Sequence, residues 1–120
     1  MGTSPARRTP RIAIIGAGPG GLCMAAQLLR AGYDDLVLLE KGTGVGGTWY
    51  HNRYPGCACD IPSHLYSFSF EVKRDWSRPY ATQPEILSYM EHVAPKRQCG
   101  STPYFCATCC MYARISGCGA

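Results

Sequence analysis

The sequence predicts an α/β chain: a βαβ unit with parallel strands, followed by a long aromatic loop, a helix and an atypical Cys-rich tail. Three observations carry this. Two short apolar runs, Arg11–Ile15 and Leu36–Leu39, flank a segment of good helix formers. A cluster of glycines, Gly16-Ala17-Gly18-Pro19-Gly20-Gly21, separates the first run from that segment. Strand, glycine turn, helix and strand within about thirty residues form a crossover unit whose strands run parallel.

The elements follow in order. Residues 1–10 form a polar lead rich in Arg and Pro, with no secretory or myristoylation signal. Arg11-Ile-Ala-Ile-Ile15 is continuous and β-branched, which suits a strand covered on both faces. Leu22–Arg30 reads as a helix, with Gly32 at the position just past its end, where glycine is favoured. Leu36–Leu39 is the second strand and Glu40 closes it. Residues 41–70 have no sustained periodicity and read as a long loop, whose aromatic residues argue against disorder. Within it, Tyr66, Phe68 and Phe70 alternate with serines as in a short strand. Thr82-Gln83-Pro84-Glu85 reads as a capping box opening a helix that presents Ile86, Met90 and Val93 on one face and ends at Pro95. The expected organisation is thus a lead (1–10), a partial dinucleotide-binding domain (11–97) and a divergent tail (98–120).

Composition excludes several classes. The length of 120 residues allows one modest domain and excludes a complete multidomain enzyme. No apolar run is long enough to span a bilayer, so no membrane partner is expected, and cytoplasmic residence is the default. The net charge of +4 arises at the ends: residues 12–94 hold six basic and eight acidic side chains. Without a basic face, nucleic acid is not an expected partner. Five of the eight cysteines (Cys99, Cys106, Cys109, Cys110 and Cys118) crowd into the tail, so the cysteine count does not describe a disulfide scaffold.

Gly16, Gly18 and Gly21 form G-x-G-x-x-G between a strand and a helix, the context that gives the pattern weight. The first glycine permits the turn, the second admits a pyrophosphate close to the backbone, and the third permits close packing, with the helix N-terminus facing the phosphates. This is a Rossmann-like arrangement. Glu40 lies where a carboxylate accepts ribose hydroxyls and repels a 2′-phosphate, which selects FAD or NAD over NADP. Gly42, Gly44 and Gly47 match the same expression, but no helical pattern follows them, and they read as loop glycines.

Gly46-Gly47-Thr48-Trp49-Tyr50-His51-Asn52-Arg53-Tyr54-Pro55-Gly56-Cys57-Ala58-Cys59-Asp60 fits every fixed position of [A/G]-G-x-W-x4-[F/Y]-P-[G/M]-x3-D. With the glycine motif, the stretch from about residue 10 to 96 resembles the N-terminal FAD-binding part of class B flavoprotein monooxygenases, the group that includes Baeyer–Villiger enzymes. The resemblance implies that Gly16, Gly18 and Gly21 approach the FAD pyrophosphate and Glu40 its ribose. It further implies that Thr48 and Trp49 line the flavin or its diphosphate, that Tyr66 contacts FAD, and that Asp60 stands near nicotinamide and flavin as the catalytic carboxylate. The plainer alternatives are core packing for Trp49, Tyr66 and Phe68 and a turn or capping role for Asp60. Ala58 departs from the family, which commonly has Arg two positions before the aspartate, so ketone insertion and heteroatom oxygenation both stay open.

The family reduces FAD with NADPH, traps O2 as a C4a-peroxyflavin and transfers one oxygen atom to a small organic substrate. That chemistry needs a second Rossmann domain and a fingerprint F-x-G-x-x-x-H-x-x-x-[W], neither of which occurs here. The chain is therefore expected to be a truncated product, altered near codon 97 by a frame change or retained intron, inactive alone and prone to aggregate or to a molten state. Two alternatives are a non-catalytic dinucleotide-binding module and a small redox or zinc protein built on the tail cysteines. Cys106-x-x-Cys109 lacks a second well-spaced pair, and His51, His64 and His92 have no metal spacing, so no metal ligand is assigned. Cys23, Cys57 and Cys59 read as small apolar packing residues.

Overall fold

The computed structural model describes residues 10–33 and 35–94 together with the backbone of strand 111–116. The tail cysteines, Pro95 and most of the N-terminal lead lie outside the described residues. The elements are β1 (Ile12–Ile15), α1 (Pro19–Arg30), β2 (Asp35–Glu40), α2 (Thr48–His51), a 3-10 turn (Ser63–Leu65), α3 (Gln83–Val93) and β3 (Met111–Ser116). β1 and β2 pair in parallel, with Ile12 opposite Leu36 and Ile15 opposite Leu39, as the βαβ reading predicts.

Helix α1 begins at Pro19, earlier than the apolar pattern suggests, because proline suits the first helical position. It ends in a Schellman motif: Gly32 N–H donates to the Leu29 carbonyl and Tyr33 N–H to that of Leu28, each at 3.0 Å. Gly32 has φ +87°, which only glycine adopts without strain. Leu22 and Ala25 of α1 are fully buried in one core with Ile14, Leu36, Leu38, Trp49, Ile86, Tyr89 and Met90. Burying a leucine or isoleucine of this kind stabilises by about 1.5–3 kcal/mol. That core joins α1, the sheet and α3 and fixes the glycine loop between them.

Four local expectations are revised. β1 is covered on one face only: Ile14 is buried, whereas Ala13 is exposed and Ile15 is 87% exposed. The sheet is mixed, because β3 adds antiparallel to β2 within a tail that sequence pattern left unassigned. The loop of residues 41–70 contains two single helical turns, so one turn of helix does follow Gly47. Tyr66, Phe68 and Phe70 form no strand; a lone bridge joins Phe68 to Glu71, and the two phenylalanine rings stack at 5.2 Å. The Tyr89 hydroxyl closes that turn by donating to the Glu71 carbonyl and accepting from Phe68 N–H.

The capping box at α3 also fails to form. Thr82 makes no side-chain cap, and the Glu85 carboxylate instead accepts from the backbone N–H and hydroxyl of Ser77 at 2.9 and 2.8 Å. Those bonds tie the preceding loop to the helix and hold the Glu85 carboxyl below its ordinary value. The helix still presents Ile86 and Met90 to the core as its period requires.

Candidate functional site

The site is built where two glycine loops meet at the C-terminal ends of β1 and β2. Gly16 turns the chain at φ +91° out of β1, anchored by its N–H on the Leu39 carbonyl at 2.7 Å. A β-carbon on Gly21 would stand 1.8 Å from the Gly16 carbonyl oxygen, so only glycine lets α1 pack this tightly under the loop. A β-carbon on Gly16 or Gly20 would meet nothing within 4 Å, so the space over this part of the loop is open. The first N–H groups of a helix lack intrahelical partners, and the first turn of α1 carries no acid. The loop therefore offers an anion open backbone donors and the positive end of a twelve-residue helix.

The second loop closes over the first. Gly46 N–H donates to the Ala17 carbonyl at 2.8 Å, and a β-carbon on Gly47 would lie 2.9 Å from the Gly18 α-carbon. Gly47 is thus a contact glycine, which its place in the second G-x-G-x-x-G match did not reveal. Thr48 follows it, exposed at the start of α2, with its hydroxyl accepting from Asn52 Nδ2 at 2.7 Å.

Glu40 ties both loops together. One carboxylate oxygen accepts from Ala17 N–H at 2.6 Å and the other from Gly42 N–H at 2.8 Å. Burial pushes its carboxyl up, but the N–H groups of Ala17, Gly42 and Lys41 and the nearby His51 outweigh that and hold it below the ordinary value. The carboxylate stays charged at the mouth of the glycine loop. Each oxygen retains lone-pair capacity for a hydroxyl donor.

Trp49 and Tyr66 stand together behind this mouth. Trp49 is 8% exposed; its indole N–H donates to the Tyr66 hydroxyl at 2.8 Å, and the rings meet edge to face at 5.7 Å. The Trp49 carbonyl accepts from the buried Gln83 side-chain amide. Gln83 is also held through its own N–H on the Cys57 carbonyl, while Cys59 N–H donates to Ala81. The Gln83 role escaped the sequence, where the residue reads as an ordinary first-turn polar side chain. Core packing therefore accounts for most of the Trp49 surface.

Asp60 lies one residue beyond this pairing, exposed, and its carboxylate accepts no hydrogen bond from a described residue. The structure brings Gly16, Gly18, Gly21, Glu40 and Thr48 to one mouth, sets Trp49 and Tyr66 behind it, and leaves Asp60 at the outer end of the same loop. No group of three or more His, Cys, Asp or Glu able to hold a metal ion occurs among the described residues. None of the described helices is long and apolar enough to cross a membrane.

Comparisons with known proteins agree with this geometry. The model of the NAD(P)-binding Rossmann-like domain family matches residues 14–82. A Baeyer–Villiger monooxygenase of Pseudomonas aeruginosa is 54% identical over 94 residues, which is 76% of this chain and 18% of that protein. Oxidised steroid monooxygenase bound to NADP superposes with a TM-score of 0.65 at 45% identity, covering 70% of this chain and 17% of the other. OTEMO in complex with FAD and NADP gives a TM-score of 0.63 at 39% identity, over 69% and 16% of the two chains. The chain thus spans less than a fifth of the length of these relatives. It belongs to the NAD(P)-binding Rossmann-like domain family, and the stretch it shares with these relatives is similar to part of Baeyer–Villiger-type flavoprotein monooxygenases.

Proposed function

We propose that this chain supplies the adenosine-diphosphate end of the FAD site of a Baeyer–Villiger-type monooxygenase. The observation that carries the reading is the Glu40 carboxylate bridging Ala17 and Gly42 N–H at the mouth of an open glycine loop. The residues fit the group: space remains over Gly16 and Gly20, and the donors there suit a diphosphate. In this reading Gly16, Gly18 and Gly21 bring backbone to the pyrophosphate, Glu40 orients the ribose diol and rejects a 2′-phosphate, and Thr48 lines the diphosphate. Trp49 backs the flavin side through its edge, with Tyr66 and Gln83 holding it in place. Asp60 is the carboxylate offered toward nicotinamide and flavin.

FAD, when bound, supplies the redox chemistry that links NADPH to O2. The whole protein then oxygenates a small organic ketone or soft heteroatom, in the cytoplasm, and residues 11–97 are its nucleotide-binding unit. A non-catalytic dinucleotide-binding module is the second reading, favoured by the exposure of Asp60, which encloses no reacting group by itself.

The test is to mix the purified chain with FAD and follow its visible band through gel filtration. Retention by this chain and loss in Gly18→Val is the expected result. Equal retention by both, or by neither, overturns the reading. Bleaching of retained flavin by NADPH separates the catalytic reading from the module.

A further inference from the structure

His51 is not used by the reading above, yet it stands beside the ribose carboxylate. It is the last residue of α2 and is exposed, with its ring edge-to-face against Tyr50 at 5.2 Å. A β-carbon built on Gly42 would lie 3.2 Å from Glu40 Oε1 and 3.2 and 3.3 Å from Cε1 and Nε2 of His51. The imidazole and the carboxylate therefore converge on one side of Gly42, where a side chain would crowd both. We propose that His51 sets the ribose specificity of this site by facing Glu40 across Gly42. The proposal rests on the nucleotide reading of the glycine loop.

The physical argument is one of charge. With neutral His51, a ligand meets an uncompensated carboxylate that accepts a 2′-hydroxyl and repels a 2′-phosphate. With protonated His51, the imidazolium offsets the carboxylate and offers a donor to phosphate oxygens, so the rejection weakens. Other charged or titratable groups nearby are few. Lys41 follows Glu40 in the chain, and Arg53 is spent over the Tyr50 ring, its guanidinium carbon 4.9 Å from the centroid. The Tyr50 phenol pairs with the Thr43 hydroxyl, and the first turn of α1 brings no acid. Glu40 has its carboxyl held below the ordinary value, so the carboxylate faces His51 as an anion at both pH values used below.

The experiment is calorimetric titration of the full chain with ADP-ribose and with 2′-phospho-ADP-ribose, at low salt, at about pH 8 and about pH 5.5. The preference for ADP-ribose should fall between these pH values by about three- to fivefold more in this chain than in His51→Phe, an effect of exposed-pair size. In His51→Phe only the second ionisation of the ligand phosphate, near pH 6, contributes. His51→Lys, a fixed cation, should show the weakened preference at both pH values. An identical pH response in this chain and His51→Phe overturns the role of His51 while ADP-ribose binding itself persists. No saturable binding of either ligand at either pH overturns the nucleotide reading and the inference with it.

Discussion

Replacing Gly21 with alanine sets two physical effects against each other. Helix propensity alone favours the change, since alanine in place of glycine near the start of α1 is worth up to about 1 kcal/mol. The packing opposes it. The new β-carbon would lie 1.8 Å from the Gly16 carbonyl oxygen and 3.0 Å from its carbon, both backbone atoms that no rotamer change can move. Gly16 cannot yield freely, because its N–H is fixed on Leu39 and its φ of +91° already uses glycine's freedom. Overpacking of this kind costs about 1–3 kcal/mol and exceeds the propensity gain. Gly21→Ala is therefore expected to destabilise, whereas Gly20→Ala, whose β-carbon meets nothing within 4 Å, should be neutral or stabilising by a few tenths of a kcal/mol. Urea unfolding followed by tryptophan fluorescence compares the pair, with Trp49 in the core as reporter. Equal stabilisation by both substitutions would refute the packing of α1 beneath the loop.

Other consequences follow from the same contacts. Gln83→Ala leaves the Trp49 carbonyl without its buried partner and should cost about 1–3 kcal/mol, with a shift in tryptophan emission; unchanged stability and emission would contradict the contact. Glu40 has a folded-state carboxyl below its ordinary 4.5, so its contribution is present above that pH and is lost as pH falls through the depressed value. Glu40→Gln should accordingly flatten the acid limb of stability against pH below about 4.5, and an unchanged slope there would contradict the bridge. Ile15→Thr removes the most exposed large apolar side chain of β1 and should reduce binding of a hydrophobic dye and self-association, measured by fluorescence and light scattering.

The parts of the fold legible in the sequence are those set by short-range chemistry. β1, α1 and β2 follow from two apolar runs, a stretch of helix formers and Gly32 just past the helix end. The glycine turn was legible because its positions have separate physical requirements, which the positive φ of Gly16 and the close approach of Gly21 to the Gly16 carbonyl meet. What escaped depends on long-range partners. Glu85 fits a capping box by spacing, but Ser77 offers its carboxylate two donors from another segment. Gln83 reaches across to Trp49, 34 residues away, a relation no local pattern encodes. Gly47 and Gly18 approach so closely that a β-carbon on Gly47 would lie 2.9 Å from the Gly18 α-carbon, and such contacts carry no side-chain signature. β3 comes from a tail without sustained alternation, and its register on β2 is a property of the sheet.

The family resemblance points to Trp49, Tyr66 and Asp60 together, but their surroundings differ. The Tyr66 hydroxyl satisfies the Trp49 indole N–H, and the two rings pack into or against the core. Asp60 is exposed beyond the Cys57–Cys59 stretch and makes no comparable contact among the described residues. The end of the site proposed to hold nucleotide is thus built from local backbone geometry within this chain, whereas the chemistry proposed for Asp60 depends on a ligand reaching it.

The most direct measurement is amide chemical-shift mapping of the isotope-labelled chain during titration with ADP-ribose. The account predicts saturable shifts concentrated at Ala17, Gly18, Gly20, Gly21 and Gly42, the N–H groups around the open loop and the Glu40 carboxylate. Shifts confined to residues outside these two loops, or none at saturating ligand, would contradict it.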